Sequence, residues 1–125
     1  MVAALAHRLS VLVVDDYPDA AESLAWVLRL EGHDARAALG GAAAVALLDG
    51  WAPDVAVLDL RMPGMDGFAL ADRLRALPRP PLLVAVSGSV LKADRDRAAA
   101  AFDRHYIKPV DPDVLAELLR CYAAR

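Results

Sequence analysis

The stretch VAVLDLRMPGMDG, residues 55–67, joins an apolar run to a single carboxylate and a sharply punctuated loop. Residues 55–58 are continuously apolar, which is typical of a strand buried on both faces of a parallel sheet. Asp59 follows directly, and Pro63-Gly64 favours a type II turn in which glycine supplies the positive φ. Asp66 is a good N-cap for a following helix. The stretch therefore predicts a buried strand that delivers one carboxylate to a structured loop.

Segments of the same kind recur on both sides of this stretch. The predicted strands are LSVLVV (9–14), DARAA (34–38), VAVL (55–58), LLVAV (82–86) and HYI (105–107). The predicted helices are 19–31, 42–49, 67–77, 90–101 and 113–124, and Gly32 and Gly50 are natural left-handed residues after the first two. Strand and helix alternate five times, so right-handed crossovers predict an α/β fold with one parallel sheet covered by helices on both faces.

Composition limits the protein classes that remain. The 125 residues fit one domain, 1–125, without repeat or linker, and 58% hydrophobic residues disfavour disorder. No run approaches the roughly 18 apolar residues of a membrane helix. The opening MVAALAHR is a poor signal peptide, so residues 1–8 are expected to form a short N-terminal extension leading into the first strand. A single cysteine suits a reducing cytoplasm, and scattered basic residues with a net charge of -3 suggest no nucleic-acid surface.

Polar side chains stand at the carboxyl ends of four of the predicted strands. They are Asp15 and Asp16 after the first strand, Asp59 after the third, Ser87 after the fourth and Lys108 after the fifth. Parallel strands deliver such groups to one edge of the sheet, where ligands bind. Crowded carboxylates repel one another, and a hard divalent cation such as Mg2+ relieves this.

These groups together suit phosphoryl transfer. A metal and a lysine neutralise charge on the transferring group, and a hydroxyl donates to one of its oxygens. Asp59 is the best candidate nucleophile because it stands alone and central, before a loop that can offer a backbone carbonyl.

Four motifs, VLVVDDYPDA, PDVAVLDLRMPGMDG, VAVSGS and HYIKPVDP, together resemble the receiver domain of two-component response regulators. The resemblance covers nearly the whole chain with the family's order and spacing. It implies a single flavodoxin-like (βα)5 domain with strand order 2-1-3-4-5, and a cytoplasmic signalling switch without an output domain rather than an enzyme with a substrate of its own.

The resemblance assigns the acceptor and the metal ligands. Asp59 would accept a phosphoryl group from a phosphohistidine on a histidine kinase or a histidine phosphotransfer protein. Asp16 would bind Mg2+ directly, with Asp15 helping through water and the backbone carbonyl of Arg61 completing the protein ligands. Mn2+ could replace Mg2+.

The resemblance also assigns a switch. Ser87 and Lys108 would each contact a phosphoryl oxygen, and the Lys108-Pro109 bond would be cis. Ser87 and the residue at position 105 would relay phosphorylation to a face formed by the fourth helix, fifth strand and last helix, where a downstream protein or a second copy could bind. His105 replaces the family's usual tyrosine or phenylalanine, and Ala101 replaces a glycine that commonly ends the fourth helix.

The sequence is also compatible with simpler interpretations of these residues. Asp15-Asp16 could only cap the first helix, and Lys108 could be a solvated surface charge. The chain could also be a haloacid-dehalogenase-like phosphatase, although that family places D-x-D where this sequence has adjacent aspartates, or a degenerate receiver that only binds partners. Tyr17 is expected to shield the site in part. The expected core aromatic residues are Trp26, Phe68 and Phe102, and the residues expected on the surface are His7 and His33.

Overall fold

A computed structural model describes residues 8–88 and 91–124, which form five strands and five helices in strict alternation. The strands are β1 (Ser10–Val14), β2 (Asp34–Ala38), β3 (Val55–Asp59), β4 (Leu82–Ser87) and β5 (Arg104–Ile107). The helices are α1 (Pro18–Leu30), α2 (Gly41–Leu47), α3 (Gly67–Arg75), α4 (Lys92–Ala101) and α5 (Pro112–Ala124). All strand pairs are parallel and the sheet order is β2-β1-β3-β4-β5, which confirms the predicted topology.

The two faces of the sheet carry separate halves of the core. Alternate strand residues such as Leu12, Leu58 and Ala85 pack against α2, α3 and α4. The residues between them, such as Val13 and Val57, pack against α1 and α5. Both faces of β3 are therefore buried, and this explains why its sequence is continuously apolar rather than alternating.

Element boundaries differ from the predicted ones by one or two residues. Asp59 and Ser87 are the last residues of β3 and β4, so both side chains belong to the strand ends themselves. The helices predicted over 42–49 and 67–77 end at Leu47 and Arg75. Each is followed by hydrogen bonds between residues three apart instead of four, such as Leu77 N–H to Leu74 O at 3.2 Å, which tighten the last turn. Of the helix predicted over 90–101, residue 90 lies outside the described residues, as do residues 1–7 of the predicted extension.

The predicted turn and cap chemistry is confirmed at several positions. The Asp66 side chain accepts from Ala69 N–H at 2.9 Å and caps α3. Gly64 has a φ of 77°, as a type II turn requires at its third residue. At the end of α4, where the resemblance leads us to expect a glycine in place of Ala101, Phe102 is extended (φ −126°, ψ 156°). The chain therefore leaves α4 without a left-handed residue.

Two predicted environments are wrong. Trp26 is 61% exposed, because α1 turns Ala21, Ala25 and Leu28 toward the sheet and a residue next to Ala25 lies about 100° away around the helix. His33 is buried rather than on the surface, and its Nδ1 accepts from Leu9 N–H at 3.1 Å. Phe102 is buried as predicted, and the half-buried Phe68 contacts it edge to face at a centroid distance of 5.7 Å. No helix within the described ranges combines the length and apolar character needed to cross a membrane.

Candidate functional site

Three carboxylates meet at the carboxyl edge of the sheet. Asp15 and Asp16 follow β1 and Asp59 ends β3, and one oxygen from each lies within 4.8 Å of the others. Asp15 and Asp59 are only 8% and 6% exposed, whereas Asp16 is open to solvent. Two buried carboxylates and one exposed carboxylate therefore lie close together at one place on the sheet edge.

Lys108 is the cation that faces this cluster. Its Nζ lies 3.0 Å from Asp15 Oδ2 and 3.4 Å from Asp59 Oδ2. The lysine is placed by the end of β5, where its N–H donates to the Ser87 carbonyl oxygen at 2.8 Å, and the following bond to Pro109 is cis as predicted. The alternative of a solvated surface lysine is wrong, because the side chain is 34% exposed and paired with two carboxylates.

Backbone groups orient the two buried carboxylates. Asp15 Oδ1 accepts from Tyr17 N–H at 3.0 Å, and Asp59 Oδ1 accepts from Arg61 N–H at 3.3 Å. The N-cap of α1 is Tyr17, and no side chain caps that helix, so the reading of Asp15-Asp16 as a simple helix cap is wrong. Each oxygen held by the backbone leaves the second oxygen of that carboxylate for Lys108.

Burial and neighbouring charges shift both sides of this ion pair. Burial raises the pKa of Asp59, the charge of Asp15 raises it further, and Lys108 with Arg61 N–H opposes the rise without cancelling it. Burial by itself lowers the pKa of Lys108, but its hydrogen bonds and attraction to Asp15 and Asp59 outweigh that effect and raise it. The partly exposed ammonium group of Lys108 thus holds the two buried carboxylates together.

Strand alternation turns Ser87 to a different flank of the sheet from the acidic cluster. Asp15, Asp59 and Lys108 line a cavity of about 550 Å³ on the α1 side, next to the exposed Tyr17. Ser87 lines a different cavity of about 450 Å³ on the α3–α4 side, together with Arg61. The structure therefore brings the three carboxylates and the lysine together and places Ser87 on the other flank of the acceptor strand.

His105 lies on the same flank as Ser87. It pairs in register with Ala85, which packs in the cluster under α2, α3 and α4, while the next residue, Tyr106, packs on the opposite face. Among the described residues, the His105 Nε2 is the buried side-chain nitrogen or oxygen without a hydrogen-bond partner. The ring therefore points inward at the position that the sequence marks for the switch.

Two contacts near the site have no local sequence signal. Arg61 Nη2 lies 2.8 Å from Asp94 Oδ2, which joins the loop after the acceptor to α4. Gly67 packs directly against the main chain of Asp59. The ion pair joins residues 33 positions apart. Sequence reasoning missed both contacts, because each depends on how separate segments approach one another in the fold.

The donor set suits a hard divalent cation. Three carboxylates within 4.8 Å offer only oxygen ligands, and the exposed Asp16 keeps the cluster open to solvent. Mg2+ prefers such ligands and keeps several waters and a substrate phosphate in its coordination shell. The acidic pocket could therefore hold a metal ion.

Comparison with known proteins identifies this arrangement. The model of the family described as response regulator receiver domain matches residues 11–120. The chain belongs to this family. Receiver domains are signalling modules of two-component systems that interact with histidine kinases and downstream effectors, and a phosphorylation switch is their expected function. The family match therefore supports the predicted switch and not the alternative of a haloacid-dehalogenase-like phosphatase.

Relatives of this receiver domain differ in the length of their chains. It is 37% identical over 92% of its length to a 14.6 kDa protein of Leptolyngbya boryana, of which it covers 90%. It is 35% identical over 94% of its length to the sensor histidine kinase RcsC of Salmonella typhimurium, of which it covers 12%. The receiver domain of the Francisella response regulator 1452 matches 94% of this chain with a TM-score of 0.83 and 25% identity, and 98% of that structure is covered.

Proposed function

We propose that Asp59 is the phosphoryl acceptor of this receiver domain and that a phosphohistidine on a histidine kinase or histidine phosphotransfer protein is the donor. The observation that carries the proposal is the convergence of Asp15, Asp16 and Lys108 on one carboxylate at the end of a central strand. Asp59 lies next to negative carboxylates and a positive ammonium group, and the cluster opens to solvent on the side of Asp16.

We propose Mg2+ as the cofactor, and Mn2+ could replace it. Asp16, Asp15, Asp59 and the backbone carbonyl of Arg61 would hold the ion, and Asp15 would act in part through water. Bound there, the ion would neutralise charge that builds on the phosphoryl oxygens during transfer. The support for this proposal is the all-oxygen donor set and the surplus of negative charge that Lys108 alone does not balance.

In the proposed transfer, an Asp59 carboxylate oxygen forms the new bond to phosphorus. The donor phosphoimidazole carries a proton on its second ring nitrogen. Its phosphorus–nitrogen bond breaks, the electron pair of that bond stays on the ring nitrogen, and the imidazole leaves in neutral form. Lys108 would pair with one phosphoryl oxygen and Ser87 would donate a hydrogen bond to another. Later attack by water on phosphorus would return the Asp59 carboxylate and free phosphate, so the domain would catalyse only its own phosphorylation and dephosphorylation.

The signal would leave through the face formed by α4, β5 and α5. Ser87 ends β4 on the flank that faces α4, and His105 lies beside it with its ring turned inward. Movement of Ser87 toward a phosphoryl oxygen would change the packing under α4 and expose a different surface to a downstream protein in the cytoplasm or to a second copy of the chain.

The decisive experiment is an intact-mass measurement after incubation with a small phosphodonor. We expect the wild-type protein to gain one phosphoryl group with Mg2+ and none with a chelator, and Asp59→Asn to gain none. Asp54→Asn is the matched control, because Asp54 accepts from Ser10 N–H at the opposite edge of the sheet. Equal labelling of wild type and Asp59→Asn would disprove the assignment, and no labelling of the wild type would favour a degenerate receiver that only binds partners.

A further inference from the structure

Gly67, the first residue of α3, lies against the main chain of the proposed acceptor. Its N–H donates to the Leu60 carbonyl oxygen at 3.1 Å, and the residue is buried. A Cβ atom at this position would stand 2.5 Å from the Asp59 carbonyl oxygen and 2.9 Å from Leu60 Cα. Real Cβ atoms essentially never approach other atoms within 3.0 Å. A residue with a side chain therefore does not fit here unless α3 or β3 moves.

The requirement at this position is for space and not for backbone freedom. Gly67 is absent from the described glycines with positive φ, which are Gly32, Gly40, Gly50 and Gly64. The atoms that a methyl group would meet are backbone atoms, so no side-chain rotation can remove the collision. Gly41 differs, because the atoms near it belong to the flexible side chain of Met65.

A displacement at Gly67 would reach the acceptor directly. Ordinary contacts begin at 3.4 Å, so a methyl group on Gly67 is about 0.9 Å too close to the Asp59 carbonyl oxygen. The Asp59 carboxylate is oriented by Arg61 N–H at 3.3 Å, within the same short segment that α3 presses on. A shift of this main chain would therefore move both the acceptor oxygen and the Arg61 carbonyl.

We propose that Gly67 is a positioning residue for phosphoryl transfer, because its missing side chain lets α3 fix the main chain that aims Asp59. The inference rests on the proposed function of Asp59. A misplacement of about 1 Å in a reacting group costs up to roughly 100-fold in rate. We therefore expect Gly67→Ala to slow labelling of Asp59 by about 10- to 100-fold per folded molecule and to weaken Mg2+ binding.

Two alanine variants of other glycines serve as matched controls. Gly64→Ala lies in the same loop and Gly50→Ala lies beyond α2, and both positions have positive φ with no atom within 4 Å of an added Cβ. Alanine at such a position destabilises the fold through its backbone without pressing on β3. Each protein is labelled with a small phosphodonor at saturating Mg2+, and each rate is divided by the folded fraction measured by circular dichroism. Both controls should stay within about twofold of the wild type per folded molecule, which separates positioning from a general loss of stability.

The outcomes distinguish this inference from the function on which it rests. If the wild type is labelled and Gly67→Ala is labelled at the same rate per folded molecule, or Gly50→Ala slows equally, Gly67 has no positioning role. If the wild type itself is not labelled, the proposed function fails and the inference falls with it. Should Gly67→Ala fail to fold, all four proteins are compared in an osmolyte such as trimethylamine N-oxide, which favours the folded state.

Discussion

Replacing Lys108 by glutamine removes an ammonium group that is paired with both buried carboxylates of the acidic cluster. Its Nζ lies 3.0 Å from Asp15 Oδ2 and 3.4 Å from Asp59 Oδ2, and both carboxylates are buried. In Lys108→Gln, the Asp15 and Asp59 carboxylates would face each other at the sheet edge with an uncharged amide in place of the ammonium group. We expect Lys108→Gln to lower the free energy of unfolding in the absence of a metal ion and to lower it much less when Mg2+ is bound.

The magnitude follows from the two distances. The lysine side chain is 34% exposed, so the water-like limit of Coulomb's law applies better than the protein interior. In that limit the attractions to Asp15 and Asp59 are worth about 1.4 and 1.2 kcal/mol. The substitution also removes the cost of taking the lysine charge partly out of water, and this offsets only part of the lost attraction. We therefore expect a loss of about 2 kcal/mol without a metal ion. Mg2+ at 100 times its dissociation constant adds about 2.7 kcal/mol to the wild type and more to the variant, where no ammonium group competes for the same oxygens.

Urea unfolding with a chelator and with saturating Mg2+ measures both free energies. Lys92→Gln is the matched control, because Lys92 forms an exposed ion pair with Asp96 at 2.7 Å and such pairs contribute about 0 to 1 kcal/mol. The loss caused by Lys92→Gln, relative to the wild type, should be the same with the chelator and with Mg2+. The reasoning is refuted if Lys108→Gln loses the same free energy with and without Mg2+, or if it loses no more than Lys92→Gln.

Three further predictions concern the metal, a buried histidine and the switch. Mg2+ should raise the melting temperature of the wild type, and Asp16→Asn should lose most of that rise. Asp19→Asn is the control and should keep the rise, because Asp19 lies in the exposed first turn of α1. An undiminished rise in Asp16→Asn would contradict the assignment of Asp16 as a metal ligand. Burial lowers the pKa of His33 below its ordinary 6.5, so protonation favours the unfolded chain, and stability should fall as the pH drops below 6.5. His33→Asn can still accept from Leu9 N–H, so chemical denaturation between about pH 8 and pH 5 should show a smaller loss than in the wild type, and an equal loss would rule out His33 as the source. A phosphate mimic should change amide exchange over residues 91–101, because Ser87 and His105 lie on the flank of the sheet that packs against α4. His105→Phe should alter the size of that change, and an identical response in both proteins would make His105 a bystander.

Sequence reasoning reached the acidic cluster because the rule it used is geometric and general. Parallel strands end at one edge, so Asp15, Asp59 and Lys108 could be assigned to the same place from their positions after three predicted strands. Ser87 also ends its strand at this edge, but the order of strands does not show that alternation turns its side chain to the other flank. That distinction needs the register, in which Asp59 pairs with Val86 and Ser87 is the next residue.

Residue type is a poor guide to burial where the position of a residue around its helix or after a turn decides which way the side chain points. Tryptophan usually packs in a core, but the inner face of α1 is defined by Ala21, Ala25 and Leu28, and Trp26 falls outside it. An isolated histidine suggests the surface, but His33 follows a turn at Gly32 that carries it beneath the start of β1. In both cases the deciding quantity is the direction of one side chain relative to the sheet.

Local sequence is enough to predict the alternation of strands and helices, the caps and turns, and the edge where the functional groups collect. These features depend on neighbours a few residues apart, such as Asp66 and Ala69 or Pro63 and Gly64. Which of these groups are in contact depends on how distant segments pack together. Lys108 reaches Asp15 across 93 residues, and the first turn of α3 presses on the main chain of the acceptor. Such contacts depend on the sheet register and on how closely helices pack, and these follow from the packing of the whole core rather than from any short segment.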